Sequence, residues 1–193
     1  LVQDLDYSVT YLSNKNVGTA KVVICGKGVY TNSLTKTFTI RPETMASAVI
    51  TGCKAKYSYT GKQVKPLIQV VWNGKILRNN TDYTLLYKNN KKRGSAGIVV
   101  TGKGNYSGTL TASFTIVRAS VKKASVTGLK AVYARTGKAV KPKVTVKLGG
   151  KKLKKKRDYI LSYRKNKKKG TALLYVKGVG NYSGTKKMKF KIR

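Results

Sequence analysis

The sequence predicts an all-β protein built of tandem immunoglobulin-like β-sandwich repeats, and three observations predict it. The first is a period of 76 residues that lies over the chain without a gap. It superposes Asp6-Tyr7, Asp82-Tyr83 and Asp158-Tyr159, and also Gly18/Gly94/Gly170, Tyr30/Tyr106/Tyr182 and Phe38/Phe114/Phe190. A period this long, well above that of helical solenoids, points to units that each bury their own core. The second is that each period breaks into short alternating runs separated by Gly, Asn and Pro. The third is composition: Gly, Thr, Tyr and Val dominate, and no apolar stripe at helical spacing is sustained.

The period divides the chain into 1–42, the back half of a repeat; 43–118, a complete repeat; and 119–193, a complete and strongly basic one. Because it starts in mid-repeat, the chain reads as a piece of a longer protein. Candidate strands of the middle repeat are 48–51, 54–59, 64–72, a short 75–77, 82–88, 95–101 and 109–117, a number that suits a small sandwich. In the last repeat Met188, Phe190 and Ile192 alternate with Lys187, Lys189, Lys191 and Arg193. Likewise Val140, Val144, Val146 and Leu148 face inward while Lys141, Lys143 and Lys147 face out. Successive outward lysines then lie roughly 7 Å apart, twice the rise per residue.

Turn chemistry accounts for most recurrent glycines. The run Gly102-Lys103-Gly104-Asn105-Tyr106-Ser107-Gly108 recurs as Gly178–Gly184, and again as Gly26–Asn32 with Asn32 in the place of the third glycine. Asn is the residue after Gly that best accepts positive φ, so that turn is expected to keep its geometry in all three copies. The spacing does not fit a phosphate-cradling loop, since no Gly-Lys-Ser/Thr follows and strands flank it. Asn79, Asn105 and Asn181, each within an Asn-X-Ser/Thr triplet, read as turn residues.

Charge is extreme, with 42 Lys+Arg against 5 Asp+Glu and a net of +37. Segment by segment the net charge is +3, +10 and +24. Basicity climbs while the repeat pattern stays fixed, so the charge is a surface property laid on a common scaffold. Three of the five acidic residues hold one repeat position, Asp6, Asp82 and Asp158. A structural role fits them: a carboxylate at the start of a strand accepts backbone N–H bonds or holds a Lys or Arg. Hydrolysis or transfer needs a base or a second acid. The chain has no His, and the last repeat has no other carboxylate, so no catalytic site is expected. Neither a metal site nor a cofactor site is predicted. Cys25 and Cys53 lack ligand spacing; they are either one disulfide across a repeat boundary or two partly buried thiols.

Of 13 tyrosines, 11 recur at repeat positions and read as core and corner residues with the hydroxyl bonded at the edge. Tyr59, Tyr175 and the lone Trp72 do not recur. Trp72 with Tyr59 is the candidate platform for a glycan, set against edge-of-core packing.

Tyr59-Thr60-Gly61-Lys62, Pro66, Asn73-Gly74, Asp82-Tyr83, Tyr87, Asn89-Asn90 and the Gly102–Gly108 run followed by Phe114-Thr115-Ile116 form a recognisable set, repeated in 133–192 and, in its back half, in 1–42. The set resembles a repeat found in tandem in large secreted and wall-associated proteins of Gram-positive anaerobes of the gut and rumen. That resemblance implies an Ig-like fold and an extracellular, accessory role at the cell wall or surface. The lysine load of 119–193 departs from the more neutral copies.

The function expected is therefore a non-catalytic extracellular module, part spacer and part electrostatic anchor to an anionic, teichoic-acid-like wall polymer. Its candidate contacts are Lys147, Lys151, Lys152, Lys154, Lys155, Lys156 and Arg157, then Arg164, Lys165, Lys167, Lys168 and Lys169, with Lys187, Lys189 and Lys191 on a strand. The turns that carry the first two groups are expected to be neighbours. Counterion release lets such a surface hold a polyanion without reading its sequence, and a Debye length of about 8 Å requires many contacts to act together. The alternative function is an adhesin or carbohydrate-binding module for a host or plant glycan or protein. Nucleic acid is expected to bind only non-specifically, and no membrane insertion is predicted.

Overall fold

Alternation decides where the strands run. A computed structural model describes residues 1–193. In chain order the strands are β1 (Tyr7–Leu12), β2 (Gly18–Gly26) and β3 (Ser33–Ile40); then β4 (Glu43–Thr44), β5 (Val49–Thr51), β6 (Lys56–Ser58), β7 (Gln69–Trp72), β8 (Lys75–Leu77), β9 (Tyr83–Lys88), β10 (Gly94–Gly102), β11 (Tyr106–Ser107) and β12 (Thr109–Val117). The last repeat supplies β13 (Ala119–Ser120), a single 3-10 turn at Val121–Lys123, β14 (Ser125–Thr127), β15 (Val132–Tyr133), β16 (Thr145–Leu148), β17 (Lys151–Lys152), β18 (Tyr159–Arg164), β19 (Gly170–Gly178), β20 (Tyr182–Ser183) and β21 (Thr185–Ile192). The protein is all-β, and its repeats have the two-sheet organisation of an Ig-like sandwich. The sheets run β5-β7-β8 and β6-β12-β10-β9 in the middle repeat, and β14-β16-β17 and β15-β21-β19-β18 in the last. The first repeat contributes the three-stranded sheet β1-β2-β3.

The chain forms two compact units, whose limits cut through the middle repeat. One comprises Leu1–Cys53, Pro66–Lys88 and Gly97–Ala112; the other comprises Lys54–Lys65, Asn89–Ala96 and Ser113–Arg193. In the second unit the core lies between the two sheets of the last repeat. Ala172, Leu174 and Val176 of β19 and Phe190 and Ile192 of β21 are buried with Val146 of β16, Tyr159 and Tyr182. The ring of Phe190 meets Tyr133 edge-on at 5.4 Å between centroids. In the first unit Val70, Leu77, Tyr83, Ile98 and Val100 are buried, as the pattern requires.

The strand read over 64–72 is shorter in the structure, where regular pairing begins only at Gln69, and its counterpart in the last repeat begins at Thr145. Pro66 and Pro142 are the reason, since neither has an N–H to give a ladder. Their carbonyls accept instead from tyrosine hydroxyls, Tyr87 to Pro66 and Tyr163 to Pro142, each at 2.7 Å. Beside them Val64 and Asn90, and Val140 and Asn166, exchange backbone and side-chain bonds of 2.7–3.0 Å.

The Gly-rich turn keeps one bond in all copies: Gly26, Gly102 and Gly178 donate to the carbonyls of Asn32, Gly108 and Gly184 at 3.0, 2.9 and 2.9 Å. Its second glycine also keeps its φ, 62°, 64° and 62° at Gly28, Gly104 and Gly180, but its last residue does not. Gly108 and Gly184 have φ of 93° and 77°, whereas Asn32 does not enter the positive region. The expectation for Asn32 is corrected accordingly. In the complete repeats the residues before the third glycine form β11 or β20, paired in parallel with β4 or β13. Tyr30 and Thr31 belong to no strand.

Candidate anion-binding surface

The candidate residues of the last repeat fall on three separate places, set by strand register. Lys147 lies on β16, Lys151 and Lys152 on β17, and Lys154 to Arg157 in the connection into β18. Lys165 and Lys167 to Lys169 form the tip of the β18–β19 hairpin, where residues 165–171 line a concavity of about 500 Å³. The two groups are not neighbours. Strand β18, six residues long, runs between them, and at about 3.4 Å per residue it holds them roughly 20 Å apart. The third place is the outer face of the sheet, where Lys187, Lys189 and Lys191 are exposed between the inward Met188, Phe190 and Ile192.

Backbone conformation marks two of these lysines. Lys156 has φ of 71° and Lys165 φ of 54°. Their counterparts share that left-handed geometry, Asn80 and Asn89 of the middle repeat with φ of 66° and 55°, and Asp4 and Ser13 of the first with φ of 69° and 57°. Asn visits this region readily and Lys does not. Lysine thus stands at two positions where the local backbone prefers another residue, which is how a functional requirement shows itself against local propensity. Replacing Lys156 and Lys165 by Asn is expected to raise stability by about 1 kcal/mol in total, seen as a higher Tm in thermal unfolding, while weakening polyanion binding.

The Asp of each repeat sits in one constellation. Asp6, Asp82 and Asp158 accept from the backbone N–H four residues earlier, those of Val2, Arg78 and Lys154, at 2.8, 2.8 and 2.9 Å. Each Asp N–H returns a 2.8 Å bond to the carbonyl of that same residue. Arg157 adds two bonds of 2.9 Å to Asp158. The Arg157 hydrogen bonds hold the Asp158 carboxyl below the usual range; burial works against them, and the Lys154 N–H and the charges of Arg157 and Lys151 assist. For Asp82 burial pushes upward, but the Arg78 N–H, the Arg78 side chain and the Arg78 and Lys75 charges together bring the pKa down. A depressed folded value means stability that is complete above the unfolded pKa of about 3.9 and is lost as pH falls through the lower folded value. Asp158→Ala orphans the Lys154 N–H and is expected to cost about 1–3 kcal/mol at pH 7, in urea unfolding. Little of that is the ion pair, because the Arg157 side chain is 60% exposed. The difference from the parent protein is expected to shrink below about pH 4.

The aromatic candidates are engaged edge-on. Trp72 meets Tyr106 at 5.5 Å, and Lys75 Nζ bonds the Tyr106 hydroxyl at 3.0 Å. Tyr59 meets Tyr182 at 5.7 Å, with Lys151 Nζ 5.7 Å from the Tyr59 ring centre. Trp72 and Tyr59 thus stand beside the equivalent tyrosines of successive repeats. Both cysteines are thiols, Cys25 exposed and Cys53 half-buried, with burial raising the Cys53 pKa.

One contact of the sheet face was not legible in the sequence: the Arg164 guanidinium lies 5.8 Å from the ring centre of Tyr175. Finding it requires the register Arg164↔Leu173, which makes Tyr175 the diagonal neighbour of Arg164.

No family description matches the chain. No curated protein matches it. Among solved structures it is similar, at 12% identity, to one titled "Protocadherin gammaB7 EC3-6 cis-dimer structure". That similarity covers 97% of this chain and 66% of the other, just under two thirds of its length, with a TM-score of 0.22. A likeness at that score bears on neither the details of the fold nor the function.

Proposed function

We propose that the chain is a non-catalytic extracellular repeat module that attaches its parent protein to an anionic, teichoic-acid-like polymer of a Gram-positive wall, the less basic repeats serving as spacer and the last as anchor. The observation that carries this reading is lysine at the left-handed positions 156 and 165, where the middle repeat has asparagine. The same exchange runs across the surface: Lys187, Lys189 and Lys191 stand where the middle repeat has Thr111, Ser113 and Thr115, and Lys147 and Lys152 where it has Val71 and Ile76. Solubility alone would not favour lysine at positions that strain the backbone.

The test is binding of the full chain to purified Gram-positive wall before and after removal of its anionic polymer. Binding that disappears with the polymer supports the anchor. Binding that survives stripping contradicts it and moves the search to the loops around Trp72.

A further inference from the structure

The outer face of the sheet β15-β21-β19-β18 has a built centre. Facing outward across neighbouring strands are Lys187 and Tyr175, paired directly, and Lys189, Leu173 and Arg164 in the next row. Lys177 lies two residues beyond Tyr175 on the same strand. The only acidic residue of the repeat, Asp158, is occupied by Lys154 N–H and Arg157. The cations of this face are therefore available to a ligand.

Tyr175 and Arg164 are particular to this repeat. Val23 and Val99 hold the position of Tyr175, and Leu12 and Lys88 that of Arg164. With Arg164 5.8 Å from the centre of the Tyr175 ring, the ring favours a guanidinium held over it on the outer face, where Arg164 is exposed. Less side-chain freedom is then lost per bond when an oxyanion is gripped. Around the fork, lysines recur roughly 7 Å apart along β21, and adjacent strands lie about 4.8 Å apart. Such a spread of single charges suits a flexible chain bearing one monoanion per repeat unit better than a compact polyanion.

We infer that this face, centred on Arg164 over the Tyr175 ring, is the principal seat of the wall polymer, a base-free alditol phosphodiester chain: the Arg164 fork grips one phosphodiester and Lys187 and Lys189 hold its neighbours. This rests on the anchor reading and makes the turn lysines auxiliary, contributing attraction over a distance rather than a defined contact.

Two substitutions separate the fork from bulk charge, because each restores the residue of the middle repeat: Arg164→Lys and Tyr175→Val. Both keep the net charge. Binding of the full chain to poly(glycerol phosphate) of defined length is measured by calorimetry across a salt series, with a single-stranded oligonucleotide of matched charge as a second probe. Each substitution is expected to weaken poly(glycerol phosphate) binding about 3- to 10-fold, with the slope of affinity against salt unchanged. Lys187→Gln with Lys189→Gln is expected to flatten that slope more than Lys168→Gln with Lys169→Gln does, and the reverse order overturns the inference. Unaltered affinity in both charge-conserving variants overturns the inference and leaves the anchor standing. Tighter oligonucleotide binding that Tyr175→Val abolishes also overturns it, since the ring would then be stacking bases. If the parent protein binds no poly(glycerol phosphate) even at low salt, the anchor reading itself fails.

Discussion

Phe190→Ala is expected to destabilise the last repeat by about 3–5 kcal/mol, whereas Phe38→Ala, at the same repeat position, is expected to cost under about 1.5 kcal/mol. The ring of Phe190 is 2% exposed, as is that of Phe114, while Phe38 is 40% exposed. Phe190 sits between the facing sheets with Tyr133 against its edge, so truncation removes transfer energy and an aromatic contact and leaves a cavity. Phe38 lies on the sheet β1-β2-β3, on which Leu34 is also exposed, as is Tyr30 in the connection before β3. Urea unfolding followed by tyrosine fluorescence measures both variants. Equal costs at the two positions would mean that Phe38 is covered in solution by something other than the sheet itself.

The other large effect is electrostatic. If roughly six cations of the last repeat are engaged on one flexible phosphodiester chain, affinity is expected to fall about 10²- to 10³-fold between 50 and 200 mM salt. The loss arises from counterions returning to the polymer, so it tracks the number of contacts and not their chemistry. It is independent of folding stability, because the cations lie outside the core that Phe190 and Leu174 fill.

How far the sequence could be read depended on whether an element declares itself along one strand. Strands β9, β10, β12 and β21 were legible from alternation or turn residues within a few positions, and the Asn73-Gly74 turn is the two-residue hairpin its sequence implies, with φ of 46° and 75°. The parallel pairs β4 with β11 and β13 with β20 were not foreseen, since two residues carry no period. Proline shortened two predicted strands because a missing N–H outweighs apolar patterning. On the surface, the outward direction of Lys187, Lys189 and Lys191 followed from period two alone. The separation of the two turn clusters was equally within reach, since the counterpart of the strand expected over 82–88 runs between them and puts them at its opposite ends. The approach of Arg164 to the Tyr175 ring depends on pairing between strands and is invisible along either one.

On the proposed reading the charge of the last repeat is a binding surface carried by an indifferent scaffold. The most direct test compares the parent protein with a full-length variant in which Lys152, Lys156, Lys165, Lys187, Lys189 and Lys191 take the middle-repeat residues Ile, Asn, Asn, Thr, Ser and Thr. Affinity for Gram-positive wall is measured against salt, with Tm alongside. The variant is expected to be at least as stable as the parent, with a far lower affinity and a shallower salt slope. A variant that binds the wall as tightly as the parent, with the same slope, would contradict that reading.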